Sequence, residues 1–402
     1  MNLFDTLTPA PPDAILGLTE AFKADERPEK INLGVGVYQD DQGRTPVMAS
    51  VKAAEKVLLK TESSKSYLSI GGAPDYKTHV QRLLLGEGHP ALHAERVRTA
   101  HTPGGTGGLR VGAELLKQLR PDATVWLSDP TWANHRGIFT AAGFRVEVYP
   151  YYDAAHKGLN EAGMMTALDG VPADDIVLLH VCCHNPTGVD LTEAQWSAVG
   201  RLAADRGWTP FLDFAYQGLG VDLETDRRGL LALVDQVPEL FVASSFSKNF
   251  GLYRERTGAL SLMAATASAA TAAFSHLEKT IRVLYSNPPA HGGLIVTTVL
   301  NDPALREQWE AEVATIRERI QSVRSALVVG LKERGVDRDF SFIESQKGMF
   351  SFSGLTDSQV AFLREQKGIY IVKGGRINVA GITSGNLDYL CDALAEALKP
   401  AG

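Results

Sequence analysis

The chain has 402 residues, of which 44% are hydrophobic and 22% are charged, a composition typical of globular proteins. Its formal net charge is −7 at pH 7 and its 40 Lys and Arg residues are dispersed, which argues against nucleic-acid binding and against attachment to anionic membranes. No apolar run reaches transmembrane length, and the first residues do not resemble a signal peptide.

The chain contains only three cysteines. Cys182 and Cys183 are adjacent and Cys391 is distant, so no disulfide framework is predicted. Adjacent cysteines are poorly placed to share one tetrahedral ion, and we therefore predict no metal site. This cysteine pattern is typical of a reducing compartment, and we expect a cytoplasmic protein.

Apolar strands and amphipathic helices alternate through the first two thirds of the chain. The predicted helices here are 15–22, 51–59, 75–85, 109–119, 132–142 and 193–205. The predicted strands are 31–38, which runs into a loop, and 124–127, 144–149, 176–181, 209–214, 240–244 and 258–263. Continuous apolar strands with helices between them are typical of a sheet covered on both faces, so we predict an α/β fold with a mostly parallel sheet.

The pattern changes beyond residue 264. Helices are predicted at 271–284, 293–300, 303–334, 357–367 and 387–398, and short strands at 340–352, 369–372 and 376–379. This α+β pattern predicts a second, smaller domain. We place the large domain at 46–312 and form the small domain from 1–45 and 313–402, with the long, charged helix at about 303–334 bridging the two.

The segment 244–258 follows an apolar strand and contains three serines, Lys248 and two arginines. Its hydroxyls and Arg256 are close enough along the chain to surround one phosphate. A lysine amine beside a phosphate site indicates a phosphorylated aldehyde cofactor bound as a Schiff base. Taken alone, a Ser-x-x-Lys sequence fits a solvated lysine in a polar loop better.

Other polar residues follow predicted strands. Asn185, Asp213 and Tyr216 come directly after strands, where ligands bind in open α/β sheets. The glycines at 104–108 precede a helix whose first N–H groups can bind an anion, although a plain glycine turn is equally compatible. Each signal also has an ordinary explanation, such as an Asn-Pro turn or a helix cap.

Together, these segments resemble the class I pyridoxal-phosphate aminotransferases, and within them the aspartate and aromatic aminotransferase subgroup. The matching segments occur in order along nearly the whole chain: NLGVGVY (32–38), PGGTG (103–107), DPTWANH (129–135), HNPTG (184–188), DFAYQG (213–218), SKNFGLYRER (247–256), YSNPP (285–289) and GRINVAG (375–381). The resemblance implies fold type I of the pyridoxal-phosphate-dependent transferases, with a seven-stranded, mostly parallel sheet in the large domain.

The resemblance also implies a role for each matched residue. Lys248 would form the Schiff base with pyridoxal 5′-phosphate and carry the proton taken from the substrate α-carbon. Asp213 would keep the pyridine nitrogen protonated, and His135 would orient Asp213. The remaining cofactor ligands implied are Tyr216 and Asn185 at the phenolic oxygen, Trp132 on the ring, and Ser245, Ser247, Arg256, Gly105, Thr106 and the neighbouring subunit's Tyr67 at the phosphate.

The same resemblance implies two arginines that bind substrate. Arg376 would bind the α-carboxylate as a bidentate pair, and Arg282 would reach the distal carboxylate from the other subunit of a homodimer. Gly36, Trp132 and Asn185 would complete the substrate site. The Asn185–Pro186 bond is expected to be cis.

We therefore expect amino transfer between aspartate or glutamate and 2-oxoacids, with 2-oxoglutarate as acceptor, by a ping-pong mechanism. The alternative is that aromatic amino acids are the main substrates. The residues implied to line the pocket are Val35, Val37, Gln39, Thr45, Ser66, Thr106 and Asn287. Thr106 and Asn287 resemble the aspartate-preferring enzymes, whereas Gln39 and Ser66 depart from them.

Other classes of protein are less compatible with the sequence. A pyridoxal enzyme of another reaction type, such as a β-lyase or a decarboxylase, could share the fold, but two substrate arginines favour a second carboxylate substrate. A noncatalytic effector domain would lack the lysine or the aspartate, or carry a DNA-binding appendage. A nucleotide-binding protein that uses the glycines at 104–108 is the weakest alternative.

Overall fold

The computed structural model describes residues 2–10 and 16–399. Its helices are α1 (Leu16–Ala24), α2 (Ala49–Thr61), α3 (Pro74–Leu85), α4 (Pro90–His93), α5 (Gly104–Leu119), α6 (Asn134–Ala141), α7 (Glu161–Asp169), α8 (Glu193–Arg206), α9 (Arg228–Val234), α10 (Ala267–Leu284), α11 (Ala290–Asn301), α12 (Pro303–Glu333), α13 (Phe342–Ser345), α14 (Asp357–Lys367) and α15 (Leu387–Ala397). Short 3₁₀ turns lie at Thr225–Arg227 and Val379–Gly381.

The strands are β1 (Ile31–Asn32), β2 (Val97–Pro103), β3 (Thr124–Asp129), β4 (Arg145–Pro150), β5 (Tyr152–Asp153), β6 (Gly158–Leu159), β7 (Ile176–His180), β8 (Thr209–Phe214), β9 (Leu240–Ser245), β10 (Thr257–Met263), β11 (Phe350–Phe352), β12 (Ile369–Tyr370) and β13 (Arg376–Asn378). In the described ranges, no helix is long and apolar enough to cross a membrane.

Seven strands form the main sheet in the order β2-β10-β9-β8-β7-β3-β4. Strand β10 runs antiparallel to both of its neighbours, and the other pairs in the sheet are parallel. The prediction of an α/β fold with a mostly parallel sheet is therefore confirmed.

Both faces of this sheet are buried, which explains its continuous apolar strands. In β7, Ile176 and Leu178 belong to a core with α5, α6 and α10, whereas Val177 and Leu179 belong to the core on the opposite face. Side chains alternate between the faces of a strand, so every position in β7 must be apolar or find a buried partner.

Three two-stranded sheets lie outside the main sheet, and one of them joins distant parts of the chain. Strand β1 pairs in parallel with β12, with Ile31 opposite Ile369. Strand β11 pairs antiparallel with β13, and β5 with β6. The β1–β12 pairing brings the N-terminal segment to the C-terminal part of the chain, as the predicted small domain requires; the boundaries of 46–312 stay a prediction.

Each predicted helix and strand overlaps an element of the same type, but two predictions are wrong in extent. The strand predicted at 340–352 is confined to 350–352, because 342–345 form α13, which buries Ile343. Helix α5 begins at Gly104, five residues before the predicted start, so the glycines form its first turn rather than a loop before it. The first residue of the helix predicted at 15–22 lies outside the described residues.

Strand β2 was missed because its sequence is polar. It contains Arg98, Thr99, His101 and Thr102, yet it forms an edge of the sheet and pairs with β10 along its whole length. The Thr99 hydroxyl lies 2.8 Å from the Ser261 hydroxyl on β10, so these two buried groups satisfy each other. Such pairing is a tertiary property that hydrophobic periodicity does not reveal.

Candidate active site

A cavity of about 420 Å³ lies at the carboxyl ends of β7, β8 and β9. It is lined by twelve of the fifteen residues predicted for the site: Gly36, Gly105, Thr106, Trp132, Asn185, Asp213, Tyr216, Ser245, Ser247, Lys248, Arg256 and Arg376. Parallel strands end at the same edge of a sheet, so side chains that follow them converge. His135 does not line the cavity but contacts Asp213, which does, whereas Tyr67 and Arg282 are not part of the lining.

Lys248 follows β9 by three residues and projects into the cavity. Burial lowers the pKa of its amine to about 8; the Asp213 carboxylate opposes this shift and the charge of Arg256 adds to it. The amine lies 4.8 Å from the centroid of the Tyr216 ring. A lysine with a pKa near 8 has a substantial neutral fraction at neutral pH, as a nucleophile or a proton carrier requires.

Asp213, the fifth residue of β8, is held by a buried histidine. Its Oδ2 lies 2.9 Å from His135 Nε2, and His135 Nδ1 lies 2.9 Å from the Thr131 hydroxyl. Burial acts to raise the pKa of Asp213, but the hydrogen bond from His135 and the nearby charges outweigh it, and the pKa lies below its usual value. Asp213 is therefore a buried anion at neutral pH, suited to pair with a cationic nitrogen.

Further histidines extend this buried row away from the cavity. The ring centroid of His180 lies 5.1 Å from that of His135 and 4.3 Å from that of His184. His184 contacts the hydroxyls of Ser128 and Thr187 at 2.9 and 2.8 Å. Burial lowers the pKa of His180 to about 3, so this ring is neutral.

Hydroxyls, amides and an arginine face the same cavity. The Ser245 hydroxyl donates a hydrogen bond to the Ser247 hydroxyl at 3.1 Å, and Arg256 donates to the carbonyl of Tyr253 at 3.0 Å. Gly105 and Thr106 lie in the first turn of α5, where N–H groups have no partner within the helix. These are the donors that a phosphate dianion requires.

A glycine on β10 permits this arrangement. A Cβ atom at Gly258 would lie 2.4 Å from the carbonyl carbon of Gly104 and 2.7 Å from the amide nitrogen of Gly105. Only glycine therefore lets β10 pass directly beneath the first turn of α5. This close approach holds the helix start against the sheet edge, next to Ser245.

Arg376, the first residue of β13, enters the cavity from the opposite side. Its guanidinium donates to Asn185 Oδ1 at 3.3 Å and to the carbonyl of Gly34, and its Cζ lies 4.4 Å from the centroid of the Phe350 ring. Burial lowers the pKa of Arg376 to about 10, which leaves it cationic at neutral pH. The Asn185–Pro186 bond is cis, as expected, and so is Asp129–Pro130.

The arrangement of Lys248, Asp213 and Arg376 can be compared with known proteins. Residues 28–394 match the family model described as aminotransferase class I and II. The chain belongs to this family. It is 51% identical to an aspartate aminotransferase of Salmonella typhi, over 98% of this chain and 100% of that protein.

Relatives with an aromatic specificity are also close to this aminotransferase. It is 43% identical to an aromatic-amino-acid aminotransferase of Pseudomonas aeruginosa, over 98% of this chain and 99% of that protein. An aromatic-amino-acid aminotransferase from Burkholderia pseudomallei, solved covalently bound to pyridoxal phosphate, is 50% identical with a TM-score of 0.97 and covers 99% of this chain and 100% of that one.

Some residues of the aminotransferase cavity were not singled out from the sequence. They are Leu109, Ala215, Tyr253 and Phe350. Tyr253 lies within the segment 247–256 that carries the resemblance, so the motif could have revealed it. Phe350 had no such signal, because its segment reads only as an apolar strand.

Tyr67 and Arg282 lie on the surface of this aminotransferase chain. Tyr67 is 91% exposed, and Arg282 is exposed on the last turn of α10, where its guanidinium contacts the Ser286 hydroxyl. Both were predicted to act in the site of a partner subunit. Neither residue lines the cavity of its own chain, which is compatible with that prediction, and it stays a prediction.

One geometric cluster was not anticipated. One ligand atom from each of His135, His180 and Asp213 lies within 4.8 Å of the others, close enough to surround an ion. The His135–Asp213 hydrogen bond already joins two of these residues, and Asp213 also lines the cavity.

Proposed function

We propose that this aminotransferase moves the amino group between aspartate or glutamate and 2-oxoacids by a ping-pong cycle that uses pyridoxal 5′-phosphate. One observation carries the proposal: the Lys248 amine, the buried Asp213 anion and the Arg376 guanidinium share one cavity of about 420 Å³. That cavity combines a nucleophilic amine, a partner for a protonated ring nitrogen and a partner for a carboxylate.

The residues of the cavity fit the cofactor. Ser245, Ser247, Arg256 and the first-turn amides of α5 would hold the phosphate, and Lys248 would bond covalently to the aldehyde carbon. Asp213, oriented by His135, would pair with the pyridine nitrogen. When bound, the cofactor supplies a protonated ring that withdraws electrons from the substrate α-carbon.

Two polar side chains would donate hydrogen bonds to the phenolic oxygen of the cofactor and so influence its ionisation. Burial raises the pKa of Tyr216 well above its usual value, with Asp213 adding to the shift, so this phenol stays protonated and donates. Asn185 also lines the cavity and accepts from Arg376 through its Oδ1, which leaves its amide nitrogen free to donate. Both donors favour the anionic form of the oxygen.

Lys248 would act a second time, as the proton carrier. Once the substrate amine has displaced it, the Lys248 amine stays close to the cofactor because it projects from the end of β9. Burial favours its neutral form, which can accept the proton from the substrate α-carbon. The Lys248 amine would thus hold the proton within the cavity and move it between the two forms of the substrate.

The substrate carboxylates define the expected specificity. Arg376, fixed between Asn185 and the Phe350 ring, presents a planar fork that matches an α-carboxylate. Arg282 of the partner subunit would bind the second carboxylate of aspartate, glutamate or 2-oxoglutarate. The apolar neighbours of the site, Val35 and Leu109, are compatible with either substrate class.

Aromatic amino acids are the second candidate, because the aminotransferase of Burkholderia pseudomallei with a TM-score of 0.97 is named for them. The ratio of kcat/KM for aspartate to kcat/KM for phenylalanine, measured with 2-oxoglutarate, decides between the two. A ratio above one supports the aspartate proposal. A ratio below one assigns the enzyme to aromatic substrates.

A homodimer would be the functional unit. Leu59 and Val283 are each 86% exposed, and Val283 is adjacent to Arg282. Val283 therefore places an exposed apolar side chain beside Arg282, which a partner subunit would cover. The described cysteines are all free and buried, which supports a cytoplasmic, reducing environment.

The first half-reaction of the proposed ping-pong cycle can be tested by itself. Glutamate added to purified, cofactor-loaded protein without any oxoacid should convert the cofactor to its amine form once per site and release one equivalent of 2-oxoglutarate. Continuous turnover without an oxoacid would instead indicate a lyase or a decarboxylase. A Lys248→Ala variant that keeps near-normal turnover would refute the role of the lysine.

A further inference from the structure

Arg324 is a cation in the protein core. It lies on α12 and its side chain is fully buried. It donates to the carbonyls of Ile343, Gly348 and Phe350, at 2.9, 2.7 and 2.7 Å, and to the Ser351 hydroxyl. All four acceptors belong to one short segment, 343–351, which contains the turn that leads into β11.

No carboxylate of the described residues forms an ion pair with Arg324, and the charge of Asp190 offsets the effect of its burial only in part. Every hydrogen bond that Arg324 makes within the described residues ends on a carbonyl or a hydroxyl. Burial lowers the pKa of its guanidinium to about 10, so it still carries its charge at neutral pH. A buried charge is costly, and an apolar side chain would fill the space at lower cost. The arrangement therefore requires a reason other than packing.

The segment that Arg324 holds reaches the active site. Phe350 is in β11, which pairs antiparallel with β13, the strand that carries Arg376. The Phe350 ring centroid lies 4.4 Å from Arg376 Cζ and 6.3 Å from the centroid of the Tyr216 ring. A Cβ atom at Gly36 would lie 2.5 Å from Phe350 Cζ, so the ring fills the space between these residues completely.

We propose that Arg324 is a positioning residue for the substrate carboxylate: by holding the backbone of 343–351 it fixes the Phe350 ring, which in turn fixes the Arg376 guanidinium. The inference rests on the proposed function, in which Arg376 binds the α-carboxylate. In this proposal Arg324 and Phe350 do not bind the substrate themselves. Their effect is to keep the planar fork of Arg376 in its binding orientation before substrate arrives.

The test compares Arg324→Met with wild type in the cofactor-loaded enzyme. Loss of the four hydrogen bonds should raise KM for both the amino acid and the oxoacid by about tenfold or more, with a smaller change in kcat, because misplacement of a binding group weakens carboxylate recognition. The dissociation constant of maleate, a dicarboxylate that cannot react, should rise by the same factor. The cofactor absorbance spectrum and its pH titration should not change.

A matched control separates positioning from stability. Leu327→Ala, on the same helix and equally buried, should lower the melting temperature and leave KM and maleate binding unchanged. If Arg324→Met fails to fold, Arg324→Lys keeps the charge but loses the planar set of donors, and Phe350→Leu removes the ring while it keeps the backbone bonds. Each should raise KM and the maleate dissociation constant in the same direction.

The outcomes for Arg324 and Arg376 are distinguishable. If Arg376→Gln does not weaken maleate binding, the proposed function of Arg376 fails. If Arg376→Gln weakens it and Arg324→Met, Arg324→Lys and Phe350→Leu do not, only the present inference is overturned. If Arg324→Lys and Phe350→Leu have independent, fully additive effects on maleate binding, the two residues do not act through one path, which also overturns it.

Discussion

His135 Nε2 and Asp213 Oδ2 lie 2.9 Å apart, and both side chains are buried. This hydrogen bond keeps the carboxylate ionised against the effect of burial and fixes its direction. The histidine is oriented in turn by the Thr131 hydroxyl. The ionisation and the orientation of Asp213 therefore depend on a side chain that does not line the cavity.

Removal of this charge should be the most damaging change that leaves Lys248 in place. Asp213→Asn should lower kcat by about a thousandfold, because a preorganised charge at the reacting group is lost. His135→Asn should cost roughly tenfold, the effect of disorienting such a partner. Steady-state rates with aspartate and 2-oxoglutarate measure both. His156→Asn, which removes a 2.7 Å His–Asp pair on the surface, is the control and should have no effect.

The depressed pKa of Lys248 predicts a pH profile for cofactor binding. Only the neutral amine attacks the aldehyde, so the rate of bond formation with cofactor-free protein should rise with pH through about 8 and level off above it. Absorbance after rapid mixing between pH 6 and pH 11 measures this rate. A midpoint near 10.5, the ordinary value for lysine, would contradict the cavity environment described for Lys248.

The contact between Gly258 and the start of α5 predicts a sensitive position two residues after the motif 247–256 that contains Lys248. Gly258→Ala should displace the first turn of α5 and lower the melting temperature. Because the N–H groups proposed to bind the phosphate lie in that turn, cofactor binding should weaken about tenfold. Equilibrium titration of cofactor-free protein measures the affinity. Gly88→Ala, where a Cβ atom meets nothing within 4 Å, should match wild type in both measurements.

The proposal that two subunits share each active site predicts complementation between two inactive variants. In a mixture of Lys248→Ala and Arg282→Ala chains, about half the dimers are mixed, and each mixed dimer has one intact site out of two. Refolding the mixture together should therefore restore about a quarter of wild-type activity with aspartate. Recovery that does not exceed the sum of the two separate variants would place Arg282 outside the partner's site.

The sequence predicted the position of site residues that lie at the carboxyl ends of apolar strands. Asn185, Tyr216 and Lys248 were placed at one edge of the sheet because apolar strands precede them, and the cavity contains all three. Their individual roles came from the resemblance, since a carboxylate after a strand has many ordinary explanations. Six of the seven strands of the main sheet were predicted, and their carboxyl ends indicated where the site lies but not its chemistry.

Other features depended on tertiary contacts that no local pattern contains. Arg324 lies in a heavily charged helix, where an arginine is normally taken as solvated, yet it is buried under the turn before β11. Phe350 is one apolar residue among several in its segment, and its position against Arg376 depends on the pairing of β11 with β13. The burial of Arg324 and the position of Phe350 therefore depend on contacts between distant segments, which local sequence patterns do not predict.

Strand β10 runs antiparallel to both of its neighbours in the main sheet, and this direction constrains the segment that contains Lys248. Because β10 returns antiparallel beside β9, the residues between them form a hairpin connection that starts and finishes at the same rim of the sheet. Lys248 and Arg256 both belong to this connection, so the spacing between the proposed Schiff-base lysine and the proposed phosphate ligand is set within eleven residues of continuous chain, 246–256. Lengthening any helical crossover leaves that spacing intact, whereas a single insertion between Lys248 and Arg256 alters it directly.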